Sequence, residues 1–440
     1  MTETPNVLFV VLDSLRRDRI SVYNDDVDFT DNLEELSREA KVYSEAVANA
    51  PWTFPSHASM FTGMYPWEHG ATQRNLKLDV ERDLLAERFR DEGYRTACIS
   101  TNAWLSGRFG LSEGFEQVEN LSSTGFSGLL GKARRKLDRW LSSAGNERLK
   151  RTIVRVGNHV FHYWLGGSQT EEIVEKSKTF METGDEPFFL FLNLMDAHEP
   201  YFPPQEYLDR HDCPDPSDIC QNPTDFYAGR VDADFDAISR VYDASVDYMD
   251  DQLGHLFEAL ERSGSWDDTV VVVVADHGQL LGENGMYGHQ YSVADELVHV
   301  PMMVKAGEIG EVEKQVELRE ISDILLSEAG LEGDYSEGTK YAMGGYEFPD
   351  VQRPRIPKGK WSELYRRHHF VRTLNGKAVR SEDEDGDTEL VFEGFVGEPA
   401  EDERRTMREK LDSIGEGEKG QQLDEKDEEI QRKLQELGYG

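Results

Sequence analysis

Cysteine is scarce in this chain of 440 residues. The three cysteines, Cys98, Cys213 and Cys220, form no pair with the spacing of a metal site, and an odd number is a poor basis for a disulfide framework. We therefore expect a protein of a reducing compartment that does not depend on disulfide bonds.

Positive charge is also in short supply. The chain has 48 Lys and Arg residues against 86 Asp and Glu residues, which gives a formal net charge of -38. Such a charge argues against nucleic-acid binding through a basic face and suggests a solvent of high ionic strength. We expect a halophilic, cytoplasmic protein that binds no nucleic acid.

Long apolar runs are missing near the start of the chain. The run from Val7 to Leu12 is far shorter than the roughly 18 residues that a membrane span needs, and no basic segment precedes it. We therefore expect neither a signal peptide nor a membrane anchor. With 38% hydrophobic residues the chain can still bury a large core, and its length allows about two or three domains.

Four short apolar runs predict buried parallel strands, because they are unbroken and rich in Val, Ile, Leu and Phe. Each run leads to polar residues: NVLFVVLD to Asp13, TACISTN to Asn102, FFLFLNLMDAH to Asp196 and His198, and TVVVVVADHG to Asp276 and His277. Helical patterns separate the runs, so we expect an α/β fold with a mostly parallel central sheet flanked by helices. Ligands bind at the carboxyl ends of such strands, and the four ends are predicted to converge on one site. Each polar residue taken alone is more commonly a cap or a turn former.

The stretch NAPWTFPSHASMFTG, from Asn49 to Gly63, predicts a short helix. A proline at the first helical position, Pro55, and a small polar residue outside it favour the start, and Gly63 favours the end. Thr53 would then lie beside a helix amino terminus, where unpaired amides attract phosphate or sulfate. On this stretch alone, a simple helix cap and a reactive hydroxyl are both open.

Asp13, Asp276 and His277 offer two carboxylates and an imidazole to a metal ion, and the Thr53 hydroxyl could be a fourth ligand. This set favours one Zn or Mn ion, with Ca and Mg as alternatives. A bound divalent ion would lower the pKa of the hydroxyl and make it a nucleophile for a phosphorus or sulfur centre. Thr53 then has a chemical reason to be there.

Two further histidines are candidates for steadying the ester or protonating a leaving alcohol, which imidazole can do near neutral pH. His198 lies in MDAHEPYFPP, where the flanking prolines restrict the backbone and hence the aim of the side chain. For His289, in GMYGHQYSVADELVHVP, a surface histidine without a catalytic role is an equal alternative.

Four stretches, in this order, carry a resemblance to a known family: PNVLFVVLDSLRRD, PWTFPSHASMFTGMYPWEHG, NLMDAHEPYFPP and VVVVADHGQLLGENGMYGHQYSVADELVHVP. Over roughly residues 5 to 330 the chain resembles the sulfatase family of the alkaline phosphatase superfamily. The resemblance implies a mostly parallel sheet between helices, followed by a small carboxyl-terminal subdomain. It also implies that Asp13, Asp276 and His277 are metal ligands and that Thr53 is the nucleophile. The implied contacts to the ester are Asn102, His198 and His289.

Departures from the sulfatase pattern bear on the chemistry. Sulfatases carry Cys or Ser, any residue, then Pro-Ser-Arg, and an enzyme oxidises the first residue to formylglycine; Thr53 is no substrate for that modification. Without the aldehyde hydrate a sulfated intermediate cannot be expelled by elimination, so water or an alcohol must attack the central atom, which favours phosphorus over sulfur. Lipoteichoic acid synthases, nucleotide pyrophosphatases and phosphoethanolamine transferases of the superfamily are similar in using a threonine.

Other departures change the charge of the site. His57, a candidate catalytic residue, replaces the usual arginine, so one fixed cation is missing and oxyanion support must come from elsewhere. Ser14 stands where many sulfatases have a second Asp, and His277 where calcium-dependent members often have Asn. Both changes favour Zn or Mn over a calcium cage of oxygen ligands.

These observations predict a metal-dependent hydrolase or transferase that acts on phosphoric or sulfuric esters through a covalent Thr53 intermediate, with phosphoesters favoured. The alternative is a non-catalytic protein of the same fold that binds anionic glycans or lipid head groups. We assign residues 1–330 to the catalytic domain, 331–396 to the small subdomain and 397–440 to an acidic tail, which is expected to be a solvated helix or disordered.

One segment runs against the acidic charge. Between Lys132 and Arg155 nine basic residues stand against two acidic ones. Apolar residues recur at helical spacing from Phe126 to Leu141, and they include Trp140. We expect an insertion over about 122–168, with three alternatives: a helix on the inner membrane surface, a lid that attracts an anionic ester, or a helix packed on its own domain. The first two allow peripheral membrane contact and a glycan or lipid-linked substrate.

Overall fold

The computed structural model describes residues 4–121, 169–184, 186–333, 335, 338–349 and 357–415. The predicted insertion over about 122–168 lies outside these residues, and so does the last part of the tail, 416–440. None of the helices within the described ranges combines the length and the apolar character that a membrane crossing requires.

The described strands are β1 (Asn6–Leu12), β2 (Lys41–Val47), β3 (Arg95–Ser100), β4 (Gln117–Asn120), β5 (Phe188–Leu194), β6 (Thr269–Val274), β7 (Leu280–Leu281), β8 (Tyr287–Gly288), β9 (His299–Lys305), β10 (Gly310–Val312), β11 (Val316–Glu317), β12 (Ala342–Tyr346), β13 (Arg367–Thr373), β14 (Gly376–Glu382) and β15 (Thr388–Glu393). The described helices are α1 (Asp31–Ser37), α2 (Thr53–Thr62), α3 (Pro66–His69), α4 (Leu85–Asp91), α5 (Thr170–Met181), α6 (Gln205–Arg210), α7 (Pro223–Tyr227), α8 (Phe235–Ser263), α9 (Asp295–Val298), α10 (Ile321–Glu328), α11 (Trp361–Leu364) and α12 (Glu401–Ser413). Single 3-10 turns such as Arg17–Arg19 and Ala103–Leu105 occur between them.

The central sheet has nine strands in the order β10-β2-β9-β6-β1-β5-β3-β4, with β11 paired to β2. The four runs predicted as strands, β1, β3, β5 and β6, are neighbours in it and run parallel. Strand β9 is antiparallel to both β6 and β2. Every residue of β5 and β6 is buried, as expected for parallel strands that are covered on both faces. The predicted α/β class with a mostly parallel sheet is confirmed.

A separate antiparallel sheet, β12-β13-β14-β15, forms the carboxyl-terminal part of the described chain. Helix α12 packs on this sheet and buries Met407 and Leu411 against Val371 and Ala378. The first part of the tail is therefore a helix, one of the two predicted forms, and two of its residues anchor it on this sheet. Met407 and Leu411 are four residues apart, so they share one face of a helix whose other residues are mostly charged.

Helix α1 is capped by a residue from another helix. Asp250, in α8, accepts hydrogen bonds from the backbone N–H groups of Asn32 and Leu33, both at 2.9 Å, and from the Asn32 side chain at 2.9 Å. Thr30, which precedes the helix, makes no side-chain cap bond. The first N–H groups of a helix have no partner within it, so the Asp250 carboxylate supplies what the local sequence does not.

Replacing Asp250 by Ala should therefore lower the free energy of unfolding by about 2 kcal/mol, because buried N–H donors lose their acceptor. Glu258→Ala is the matched control, since it removes an exposed carboxylate of the same helix that pairs with exposed Arg262 and should change stability little. Urea unfolding of the two variants measures both effects. Equal losses in the two would contradict the capping role.

Candidate active site

The carboxyl ends of the four parallel strands meet at one edge of the sheet. Asp13 follows β1, and its Oδ2 accepts hydrogen bonds from Asn102 Nδ2, beyond β3, at 2.9 Å and from Asn193 Nδ2, within β5, at 3.3 Å. The Asn102 side chain also accepts from the backbone N–H of Trp104. Three of the predicted strand ends are thus joined by direct hydrogen bonds around one carboxylate.

Thr53 is the first residue of α2 rather than a residue outside it, and Trp52 takes the cap position. Pro55 is the third helical residue, not the first as predicted; proline is tolerated there because the first-turn N–H groups have no acceptor in the helix. Gly63, with φ 73°, ends the helix as predicted. The buried Thr53 hydroxyl lies 3.4 Å from Asp13 Oδ2 and 3.3 Å from His277 Nε2, contacts that a simple capping role does not explain.

The Asp276 carboxylate faces the same point from β6. Its Oδ1 accepts the backbone N–H of His277 at 2.9 Å and that of Ser14 at 3.2 Å. Ser14 has φ 63°, an unusual conformation for a residue other than glycine, and this conformation turns its N–H to Asp276. Asp276 Oδ2 is buried and has no hydrogen-bond partner among the described residues.

Burial raises the pKa of Asp276 well above its usual range, and the neighbouring charge of Asp13 adds to this shift. For Asp13, burial acts in the same direction, but the imidazoles of His198, His277 and His57 outweigh it and lower the pKa. Two adjacent buried carboxylates, one with an oxygen that lacks a donor, are a costly arrangement unless a cation neutralises them.

His277 is held in the form that a metal ligand needs. Its Nδ1 donates to the Gly278 carbonyl oxygen at 2.8 Å, so the lone pair of the neutral ring is on Nε2. Nε2 lies 3.5 Å from Asp276 Oδ2, and burial lowers the pKa of the ring to about 4. Donor atoms of Asp13, Asp276 and His277 all lie within 4.8 Å of one another. The residues present therefore fit one divalent cation.

His57 lies behind the nucleophile position. Its Nδ1 is 2.9 Å from the Thr53 carbonyl oxygen and 3.4 Å from Asp276 Oδ2, and its ring meets those of Phe61 and Phe191 edge to face. Burial lowers the pKa of His57 to about 4. It is therefore a neutral side chain beside Asp276 and does not replace the charge of an arginine.

A second buried group, His198, Glu199 and His289, adjoins the first. The ring of His289 lies 5.0 Å from that of His198 and 4.8 Å from that of His277. Burial raises the pKa of Glu199, and burial together with the two neighbouring imidazoles lowers that of His289 well below its usual range. The predicted residues His198 and His289 are thus brought to the site, and His289 is no surface histidine.

One predicted strand-end residue, Asp196, makes a contact that the sequence did not indicate. It accepts a hydrogen bond from Thr170 at the start of α5. Sequence reasoning missed Glu199 and Gln279, although each lies within two residues of a predicted site residue. That adjacency is the one signal that could have pointed to them.

The family model described as Sulfatase matches residues 5–327. The chain is 29% identical over 312 residues to an ulvan-active sulfatase of Formosa agariphila, a match that covers 68% of this chain and 56% of that protein. It is 24% identical over 366 residues to an arylsulfatase of Clostridium perfringens, covering 73% of this chain and 74% of that one. A phosphonate monoester hydrolase of Agrobacterium radiobacter has the same fold, with a TM-score of 0.67 at 18% identity over 93% of this chain and 95% of that chain.

Proposed function

The chain belongs to the sulfatase family, and on that premise we propose that it hydrolyses phosphate or sulfate esters with one divalent metal ion and with Thr53 as the nucleophile. The observation that carries the proposal is the position of the Thr53 hydroxyl. It lies at the amino terminus of α2, within 3.4 Å of Asp13 and His277. An ester anion is favoured at that helix end, where unpaired N–H groups and the helix dipole supply positive potential.

Asp13, Asp276 and His277 would hold the metal, whose positive charge, when bound, would lower the pKa of the Thr53 hydroxyl and attract the anionic ester. Zn or Mn suits two carboxylates and an imidazole better than Ca. The fold itself orients these side chains, because the backbone N–H groups of Ser14 and His277 fix Asp276 and the Gly278 carbonyl fixes His277.

In the proposed reaction, Thr53 donates its hydroxyl proton toward Asp13 Oδ2 and its Oγ1 attacks the phosphorus or sulfur atom. The bond from this atom to Thr53 forms while the bond to the leaving alcohol breaks, and the leaving oxygen takes up a proton from a water molecule. Water then attacks the threonine ester, which releases the anion and restores the hydroxyl. His198 and His289, whose rings lie 5.0 Å apart, with that of His289 4.8 Å from the His277 ring, would orient the water molecules that supply and receive these protons.

Phosphorus is the favoured central atom. A threonine ester offers no aldehyde hydrate from which a sulfate could be eliminated, so the second step depends on attack at the central atom. We propose an anionic ester substrate. Sulfated glycans are among the candidates, because two relatives are named ulvan-active sulfatase and iduronate 2-sulfatase. A membrane-linked ester is a further proposal, which rests on the basic segment of the sequence alone.

A panel of phosphomonoesters, phosphodiesters and sulfate esters, assayed with Zn, Mn, Ca and Mg in turn, tests the proposed function. We expect turnover of at least one phosphoester with Zn or Mn, at a higher rate than any sulfate ester of the same alcohol. Tight binding of an ester without product over long incubation would contradict hydrolysis and favour a non-catalytic protein that binds anionic glycans or lipid head groups.

A further inference from the structure

We propose that Glu199 and Gln279 act together as positioning residues that keep the proton of the neutral His289 ring on Nδ1. The proposal rests on the proposed function only for the step in which His289 takes part. Neither Glu199 nor Gln279 is predicted from the sequence, and both are buried beside the site.

The three side chains form one hydrogen-bonded chain. Gln279 Nε2 donates to Glu199 Oε2 at 2.6 Å and to the Tyr201 hydroxyl at 2.8 Å. At its other end, Gln279 Oε1 lies 3.1 Å from His289 Nδ1. Gln279 is fully buried and His289 is 1% exposed, so water cannot readily substitute for these partners.

The chain of donors and acceptors fixes the position of the proton. The Glu199 carboxylate only accepts hydrogen bonds, so the amide nitrogen of Gln279 must face it and the amide oxygen must face His289. An oxygen only accepts as well, so His289 Nδ1 must carry the hydrogen. The lone pair of the neutral ring is then on Nε2, on the ring edge that faces away from Gln279.

This lone pair gives His289 a direction for accepting a hydrogen bond. Its ring lies 4.8 Å from that of His277, whose Nε2 is 3.3 Å from Thr53 Oγ1. In the hydrolysis step the attacking water would donate a hydrogen bond to His289 Nε2 as its oxygen bonds to the central atom and its proton passes to solvent. As the bond to Thr53 Oγ1 breaks, Oγ1 recovers the proton that it had given to Asp13. His289 thus orients the attacking water.

The second group of possible metal ligands, His198, Glu199 and His289, is better explained as part of the hydrogen bonding that orients His289. Glu199 Oε2 lies 3.8 Å from His198 Nδ1 and 3.7 Å from His289 Nδ1. Each of these nitrogens already faces an oxygen acceptor, the Glu199 carbonyl at 2.5 Å for His198 and Gln279 Oε1 for His289. The Glu199 carboxylate therefore hydrogen-bonds neither imidazole directly, and it acts on His289 through Gln279.

The test is a long-range proton–nitrogen NMR spectrum of the full chain with labelled histidine, in which a His289→Gln variant assigns the ring. In the wild type His289 should carry its hydrogen on Nδ1. In Glu199→Gln, whose new amide can donate or accept, Gln279 is free to turn, and the form with hydrogen on Nε2 should appear. The exposed Glu206→Gln is the matched control and should leave the wild-type spectrum unchanged.

Kinetics and metal analysis give two more readouts. On an ester from the panel, Glu199→Gln should lower kcat by about 10- to 100-fold and change KM by less than about twofold, since only the orientation of the attacking water is lost. The proposal would be overturned if the wild-type His289 ring carried its hydrogen on Nε2. Loss of one equivalent of metal in Glu199→Gln would also overturn it, because Glu199 would then be a metal ligand. The NMR spectrum needs no turnover, so a chain that cleaves no ester would refute the proposed function and still test this inference.

Discussion

Thr53→Ala should lower the turnover of the best ester by at least about 10³-fold, because it removes the hydroxyl that forms the covalent intermediate. The fold should survive, since alanine is well tolerated in the first turn of α2 and the Thr53 hydroxyl contacts Asp13 and His277 at the site. The measurement is kcat on the ester chosen by the panel, together with thermal unfolding of the purified variant. Thr53→Ser should retain part of the activity.

Thr62→Ala is the matched control. Thr62 is the last residue of the same helix, and its hydroxyl bonds back to the Ala58 carbonyl, at the opposite helix end from Thr53. Its replacement should leave kcat near the wild-type value. In the wild type, acid quenching during turnover and mass spectrometry should find the transferred group on the peptide that contains Thr53. Near-normal activity of Thr53→Ala would refute the covalent mechanism.

Asp276→Asn should remove the bound metal and, with it, nearly all activity, again by about 10³-fold or more. Elemental analysis of the wild type should find one equivalent of Zn or Mn, and the variant should retain far less after dialysis. Added metal should raise the unfolding temperature of the wild type but not of the variant, because only the wild type binds the ion in its folded state.

The metal-free proteins give a second, opposite signature. Burial beside Asp13 raises the pKa of Asp276 well above its usual range, so an ionised carboxylate there destabilises the fold when no cation is bound. Asp276→Asn removes that charge, and the chelator-treated variant should be at least as stable as the chelator-treated wild type. Asp323→Asn, which loses a carboxylate that pairs with Arg88 outside the site, is the control and should keep its metal. Stoichiometric calcium, or no metal even after reconstitution, would contradict the ligand set.

Local pattern was enough to find the strands and the residues at their ends. Val, Leu and Phe runs such as those of β5 and β6 can only be buried strands or helices, and their length and flanking turns select strands. Parallel strands then end at the same edge of a sheet, which is why Asp13 and Asp276 could be placed together from sequence alone. The same reasoning could not tell that Asp196 bonds to Thr170.

Spacing also located Thr53 near a helix start but missed its place in the first turn and its partners. Composition predicted a solvated helix or a disordered end for the tail, but not that Met407 and Leu411 anchor the helix α12 to the second sheet. Two apolar residues on one face are a weak signal in a charged segment. They become informative only when a complementary apolar surface, here around Val371 and Ala378, is known.

The sequence by itself determined the α/β class, the four strands and the family to which the chain belongs, because these depend on the order and periodicity of residues close together along the chain. Only the tertiary structure decided which polar atoms meet. Glu199 and Gln279 are 80 positions apart and bond because β5 and β6 both flank β1, a neighbour relation that no local pattern encodes. The proposed proton position on His289, and the Asp276 oxygen that has no hydrogen-bond partner among the described residues, depend on such contacts, since hydrogen-bond geometry in a buried site is fixed by side chains that the fold brings together from distant strands.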